Sequence, residues 1–508
     1  MEEKCLKAPI YTVETVFKDS AEVPVDIEFN MPDYCPEISR ILKCRAVARI
    51  ASKSVSDRTV SADGSVTATV IYADSEGAVN SYEYQFPFSK IFESGVDLTG
   101  AQVSVKARCE YVNCRAVTGR KIDIHGAVGV FVTASRRKSR NIISGIEGGD
   151  IELLRERIPA AMPVAAGDKY IILEEEIETG NSQPDVSCLI SYDADVRLGE
   201  CKLLAGKVMV KGEISVFLLY RGEQSEPQQV TAVIPFSQLL EIDDADENCI
   251  CEAWADIAYL EIKPKFNSSG LSRSFSMDGK LLLSVKLQCG GEIDIVTDAY
   301  SRSFEASIQS EEICFEKAVC SPSDTFNCRR EIDLGAEISR VYDIRCEVSD
   351  TSVAFDEDCL MITGTAAANI IALDTAGAPV FIEKPVDFEY RFKMPYGSGD
   401  FKCDPQIGIK SVNYTLLSED RMEIRLEMTV RATVYECKSV SVINDIKTDS
   451  TRRAQKRRAA MTVYFAEAGE SLWDISRKYL ASVEEVKSIN GITDDKLSGR
   501  QMILLPAD

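Results

Sequence analysis

Internal repetition is the feature that most narrows what this chain can fold into. The segment CRAVARIASKSVSDRTVSADGSVTATVIYADSEGAVNSYEYQFPFSKIF, residues 44–92, returns as SYDADVRLGECKLLAGKVMVKGEISVFLLYRGEQSEPQQVTAVIPFSQLL, residues 191–240. Gly64, Tyr72 and Pro87-Phe88 match Gly212, Tyr220 and Pro235-Phe236 at a constant spacing of 148. A weaker third copy runs from Arg340 to Phe392, giving a period of about 150. That length is a whole domain, and 508 residues are too many for one core. Within each copy a shorter echo appears. An offset of 62 takes Gly64 to Gly126 and Leu360–Leu373 to Met422–Tyr435. In the second copy the echo, Asp256 to Leu287, carries an insertion around Asn267–Gly270. Each unit therefore reads as a pair of related strand groups.

The repeated core alternates, Val66, Ala68, Val70 and Tyr72 against Thr67, Thr69 and Ile71, and is rich in β-branched residues. That is the period of a half-buried strand. Glycine-containing turns at Ala73–Ala78, Tyr220–Gln224 and Asp374–Pro379 fall at the same point of each copy, where hairpins are expected. Short helices are expected at Cys35–Leu42 and Ile151–Ile158. The fold class is mainly β: three tandem antiparallel, β-sandwich-like units over residues 1–140, 167–301 and 328–445, joined by connections at 141–166 and 302–327. A basic linker at 446–461 leads to a last, different domain at 462–508.

Composition bounds the function. Met1 to Lys7 is mixed in charge and Tyr11 to Phe17 alternates, so no export signal is read, and the longest apolar runs, such as Ile214 to Tyr220, are too short to span a bilayer. With 17 cysteines, an odd number in a large chain, reduced thiols are expected. The pairs Cys109/Cys114, Cys249/Cys251 and Cys314/Cys320 include no CxxC and the only histidine is His125, so zinc has weak support, and no cofactor or metal is expected. A net charge of -23 opposes nucleic-acid binding, which depends on neutralising phosphates. The cluster Arg452, Arg453, Lys456, Arg457 and Arg458 runs the other way, as a solvated linker or as a docking element for an acidic or lipid surface.

From Thr462 the periodicity shifts from two towards 3.6. TVYFA reads as a strand. Ser471 with Asp474, then Ser482 with Glu485, are capping-box signals. Leu472, Ile475 and Tyr479 form one helical stripe and Val483, Val486 and Ile489 a second, which ends at Asn490-Gly491; Leu472, Ile475 and Ile489 read as core. QMILLP, residues 501–506, is the closing strand. This βααβ order, with Val463, Gly469, Ser471, Leu472, Trp473, Ile475, Tyr479, Ile489, Asn490, Leu497, Gly499 and the closing ILLP, resembles the LysM family along the whole segment. The resemblance implies a shallow groove between two loops, one holding Gly469, Glu470, Ser471 and Leu472 and the other Ile492, Thr493 and Asp494, which takes N-acetylated glycan in that family. Glu470-Ser471 departs from the family's usual Asp-Thr, and the proline that commonly precedes the glycine at position 499 is missing.

The sequence MPDYCPEISRILKCRAVARI, residues 31–50, followed by alternating strands and a hairpin into FPFSKIF, resembles the SPOCS domain of clostridial spore-coat proteins. Copies of that domain ahead of one LysM resemble the SipL-like coat morphogenetic family. The resemblance implies a non-enzymatic scaffold in the mother-cell cytoplasm, recruited to the forespore surface, with the LysM gripping the sporulation ATPase of the coat's basement layer. The alternatives are a peptidoglycan-binding wall protein and, third, a wall hydrolase. A Ser/His or Cys/His site would need His125, which lies in the alternating strand KIDIHGAVGV and reads as structural. Carboxylate pairs leave no trace in sequence, and no nucleotide fingerprint is present. Repeated β surfaces along one chain could bridge partners without an active site, and exposed edges leave self-association open.

Overall fold

The computed structural model describes residues 4–147, 150–222, 226–243, 245–266, 272–395, 399–454 and 461–506. Unit 1 consists of β1 (Lys4–Asn30), β2 (Arg40–Ser56), β3 (Thr59–Ala73), β4 (Val79–Glu93), β5 (Gln102–Ala116) and β6 (Lys121–Glu147). Two antiparallel sheets, ordered β2-β3-β4 and β1-β6-β5, face each other across one apolar core. Unit 2 repeats the plan with β7 (Ile151–Glu178), β8 (Cys188–Leu204), β9 (Lys207–Arg221), β10 (Gln228–Glu241), β11 (Cys249–Phe266) and β12 (Ser272–Ser301), ordered β8-β9-β10 and β7-β12-β11.

Unit 3 has the same plan with its long strands broken. It holds β13 (Phe304–Cys320), β14 (Ser323–Asp333), β15 (Ile338–Asp356), β16 (Cys359–Asp374), β17 (Pro379–Lys393), β18 (Asp400–Cys403), β19 (Gln406–Ser418), β20 (Arg421–Arg431) and β21 (Val434–Arg453). Pro322, which has no N–H for a ladder, stands at the break between β13 and β14.

The shorter echo is a sheet with a bulge. Gly64, Gly212 and Gly364 lie on the central strands opposite bulges in β2, β8 and β15. A Cβ at these glycines would stand 2.4, 2.6 and 2.3 Å from the carbonyl oxygens of Arg49, Arg197 and Asp350, and 2.5 Å from the rings of Phe88, Phe236 and Phe388. Gly126, the echo of Gly64, meets the carbonyl of Tyr111 in the same way, beside the bulge in β5. Only glycine admits both the bulged carbonyl and the ring laid across it. Two of the expected hairpins form at Asp74–Ala78 and Asp374–Ala378, with Gly77 and Gly377 at positive φ. The third, at Tyr220–Gln224, falls partly outside the described residues, as does the insertion around Asn267–Gly270.

The units close into a ring around a pseudo-threefold axis rather than stringing out in a line. The strand at the β4 edge of each β2-β3-β4 sheet, or its copy β10 or β17, meets the first strand of the corresponding sheet in the next unit. Ser81 Oγ donates to the Leu189 carbonyl at 2.9 Å, Gln229 Nε2 to that of Tyr342 at 3.0 Å, and Arg40 to that of Pro379, which returns to unit 1. Ile71, Leu219 and Ile371, one from each unit, share a small apolar cluster at the centre. Beside it the Arg45 guanidinium lies 2.8 Å from both Asp193 and Glu347, so all three units meet in one charge network. A cavity of about 330 Å³ adjoins this network. Asp195 reaches solvent there but is walled by protein, and lost hydration, then Asp193 and Glu347, push its carboxyl up to about 6.

The connecting segments form a stalk. The outer ends of β1 and β6, β7 and β12, and β13 and β21 leave the sandwiches as three antiparallel ribbons. Ile142, Ile295 and Val442 share one apolar layer, and Ile143, Val296 and Ile443 a second. The helices expected at Cys35–Leu42 and Ile151–Ile158 are not formed. The first is irregular backbone leading into β2 at Arg40, and the second is the start of β7, where pairing with β12 overrides a weak local helix pattern. The connections at 141–166 and 302–327 run largely as strand. The expectation of reduced thiols throughout is also corrected. Cys201 is bonded to Cys251 and Cys249 to Cys289, at separations of 50 and 40 residues, because pairing across strands and sheets brings together cysteines that local spacing does not relate.

Candidate functional site: the docked terminal module

The last domain is formed by β22 (Met461–Ala466), α1 (Leu472–Tyr479), α2 (Val483–Asn490) and β23 (Gln501–Pro506), with the two strands antiparallel. Its core holds Leu472, Ile475, Val486, Leu497, Ile503 and Leu505. Ser471 and Ser482 stand at the N-cap positions, but neither hydroxyl bonds its helix, so the capping boxes are not made. Ile489, expected in the core, is 46% exposed. Its neighbour Asn490 joins α2 to β23 instead, donating to the Leu504 carbonyl at 2.8 Å and accepting from the Leu504 N–H at 2.7 Å. Gly491, at φ 65°, ends the helix.

The two loops expected to form the groove are laced together. Gly469 N–H donates to the Leu497 carbonyl at 2.8 Å, Leu497 N–H to that of Glu470 at 3.0 Å, and Leu472 N–H to that of Asp495 at 2.8 Å. Ser471 bridges Lys496. Gly469, Thr493 and Asp494 are exposed, Glu470, Ser471 and Ile492 half-buried, and the Leu472 side chain wholly buried in the core. Glu470 braces the first loop, accepting from the Tyr464 hydroxyl at 2.9 Å and from the Glu467 N–H at 3.0 Å. That bond raises the Tyr464 phenol above its usual range.

The outer face of α1 is a contact that sequence reasoning missed. Trp473, one position off the core stripe, is buried against the end of β12. Its indole N–H donates to Asp298 at 2.8 Å, and Arg477, one turn on, pairs with the same carboxylate at 2.5 Å. The Tyr300 hydroxyl donates to the Ala481 carbonyl at 2.6 Å, and its ring meets Trp473 edge-on with centroids 5.0 Å apart. The module is thus docked on the unit 2 ribbon while its groove loops stay open. A tryptophan beside, rather than within, the apolar stripe was the available signal, but its partner lies 175 residues upstream.

His125 sits exposed on β6, with Asp26 at 2.6 Å and Asp123 at 3.0 Å; these carboxylates raise its pKa. Among the described residues, no cluster of three or more His, Cys, Asp or Glu is placed to hold a metal, and no helix is long and apolar enough to cross a membrane. Of the basic cluster, Arg452 pairs with Glu305 and Asp449, whereas Lys456, Arg457 and Arg458 lie outside the described residues.

Repeated β-sandwiches carrying a small βααβ module make this a modular binding protein of non-catalytic domain families. Residues 37–117 and 185–265 match the family model described as SipL, SPOCS domain, and residues 467–506 match the LysM domain. The chain therefore carries two SPOCS domains followed by a LysM domain, the domain content of a SipL-like protein. The first SPOCS match takes in β2 to β5, and the second β8 to all but the last residue of β11. Unit 3 lies outside the matched residues yet has the same sheet plan. No curated protein and no solved structure matches the chain.

Proposed function

We propose that this protein is a scaffold of spore-coat assembly, made in the mother cell and held at the forespore surface by protein–protein binding to which the LysM groove contributes. The partner implied by resemblance is the sporulation ATPase of the coat's basement layer. In this reading units 1–140, 167–301 and 328–445 act as one ring-shaped body, and 462–508 as its recognition module.

The observation that carries the reading is the docked LysM. A module tied to a rigid body through Trp473, Arg477 and Tyr300 presents its groove loops, Gly469–Leu472 and Ile492–Asp494, at a fixed place on that body. Fixed presentation suits a stoichiometric layer, because a rigid module loses little freedom when it engages a partner. Glu470 is already committed to Tyr464 and Glu467, a feature the glycan-binding reading must accommodate. The test is to follow the tagged chain in sporulating cells with and without residues 461–506. Loss of forespore encasement on deletion supports the scaffold. Unaltered encasement, together with retention of the full chain on purified peptidoglycan, favours the wall-binding alternative.

A further inference from the structure

Two junctions of the ring settle charge differently. Where β2 of unit 1 meets the β7-β12-β11 sheet of unit 2, Lys53 pairs with Asp168 at 2.7 Å. Where β8 of unit 2 faces the β14-β20-β19 sheet of unit 3, a cavity of about 320 Å³ remains between them. Strand register builds its floor. Ser323 of β14 stands opposite Arg431 of β20, and Thr325 opposite Thr429. Met428 and Val430, which alternate with these on β20, are buried in the sandwich, so Ser323, Thr325 and Arg431 leave the sheet on the cavity side. Gly408 of β19 lies on the other flank of Thr429. A Cβ there would stand 3.0 Å from the Thr429 hydroxyl oxygen, so glycine keeps the floor clear. Asp324, also at the cavity, projects to the opposite face, where the Tyr390 hydroxyl donates to it at 2.5 Å.

Arg431 is half-buried on this floor, and its guanidinium donates to the Leu198 carbonyl of β8 at 2.8 Å and to that of Gly199. Among the described residues no carboxylate pairs with it, and lost hydration lowers its pKa unopposed. Arg197, on the facing wall, is by contrast neutralised by Glu213 at 3.1 Å. The hydroxyls of Ser323 and Thr325 bond to no other described group. A desolvated cation without a counter-charge is costly, and free hydroxyl donors stand beside this one. We propose that the cavity between units 2 and 3 binds a tetrahedral oxyanion, phosphate either free or as the end of a phosphate monoester, held by Arg431, Ser323 and Thr325. The guanidinium offers parallel N–H donors and the hydroxyls donate from a second side, an arrangement that suits oxygens set tetrahedrally around one centre. The adjoining axial cavity is lined by Asp193, Asp195 and Glu347, which repel an anion, so the site ends at Arg197. Because Arg431 of unit 3 is tied to β8 of unit 2, occupancy favours the closed junction.

The test dialyses the full chain to equilibrium against radiolabelled inorganic phosphate at fixed pH and ionic strength, up to millimolar concentration. Saturable binding of one phosphate per chain is expected. It should weaken roughly 10-fold in Thr325→Val and be lost in Arg431→Gln. Arg329→Gln should bind as wild type does, since that guanidinium, on the same sheet, is already paired with Glu423. Glycerol 3-phosphate as competitor separates the two sources. Displacement of the label at lower concentration than unlabelled phosphate requires marks the end of a monoester, and displacement only at higher concentration marks free phosphate; both accord with the site. Absence of saturable binding overturns the proposal, as does binding that Arg431→Gln and Thr325→Val leave unchanged or that Arg329→Gln weakens equally. If Arg431→Gln fails to fold, the wild type, Thr325→Val and Arg329→Gln decide the question alone.

Discussion

Docking of the LysM on the stalk can be perturbed from the stalk side, leaving the module's own residues untouched. Tyr300 is 5% exposed, its ring pairs edge-on with Trp473, and its hydroxyl donates to the Ala481 carbonyl. The ring pair contributes about 0.5–1.5 kcal/mol, and the hydrogen bond about 1 kcal/mol net with the further cost of an unpaired buried carbonyl. Tyr300→Ala should therefore weaken docking by about 2–3 kcal/mol, roughly a 30- to 150-fold larger undocked population. Tyr300→Phe keeps the ring and should give about a 5-fold change, the equivalent of ~1 kcal/mol. The chain has two tryptophans, so the Trp473 indole is one of two such resonances, and Trp254→Phe assigns it. Because the indole N–H is held by Asp298, its hydrogen exchange reports undocking. Exchange that speeds up in the order wild type, Tyr300→Phe, Tyr300→Ala is the expected result. An unchanged exchange rate in Tyr300→Ala would refute the docked arrangement.

Two further predictions concern the ring. Gly212→Ala places a Cβ 2.6 Å from the Arg197 carbonyl and 2.5 Å from Phe236, so it should destabilise by about 1–3 kcal/mol in urea unfolding. Adding Phe236→Leu should restore only part of that loss, since the bulged carbonyl remains. Asp195, pushed up to about 6, keeps its proton in the folded chain through a window where the unfolded chain, with an ordinary carboxylate, has lost it. Stability should therefore fall as pH rises from about 4 to 6 and level off above. Asp195→Asn should remove that fall and stabilise at pH 7 by about 1 kcal/mol, solvent access in the cavity reducing the full effect; no difference between variant and wild type at any pH would contradict the walled axial site.

What could be read from the sequence was whatever repeats or keeps a local period. Gly64, Gly212, Phe88 and Phe236 marked the units because a bulge opposite a glycine under a ring admits few substitutions, and QMILLP marked β23 to the residue. The expected helix at Ile151–Ile158 failed because its apolar spacing serves a ribbon whose partner lies over 130 residues away. Separation along the chain, from 40 residues upward, likewise hid the disulfides, the junctions of Ser81, Gln229 and Arg40, and the Asp298 seat for Trp473. Each joins segments whose proximity depends on tertiary pairing. In the LysM, Asn490 was read as a helix end, and only the structure shows its amide clasping Leu504.

In the proposed function a rigidly presented groove holds this chain at the forespore surface. Its most direct measurement is encasement by a fluorescent fusion carrying Glu470→Lys and Thr493→Lys, compared with wild type and with Tyr300→Ala. The groove variant should leave the forespore surface while still showing the slow Trp473 indole exchange of a docked module, and Tyr300→Ala should encase less completely than wild type. Full encasement by the groove variant would contradict it.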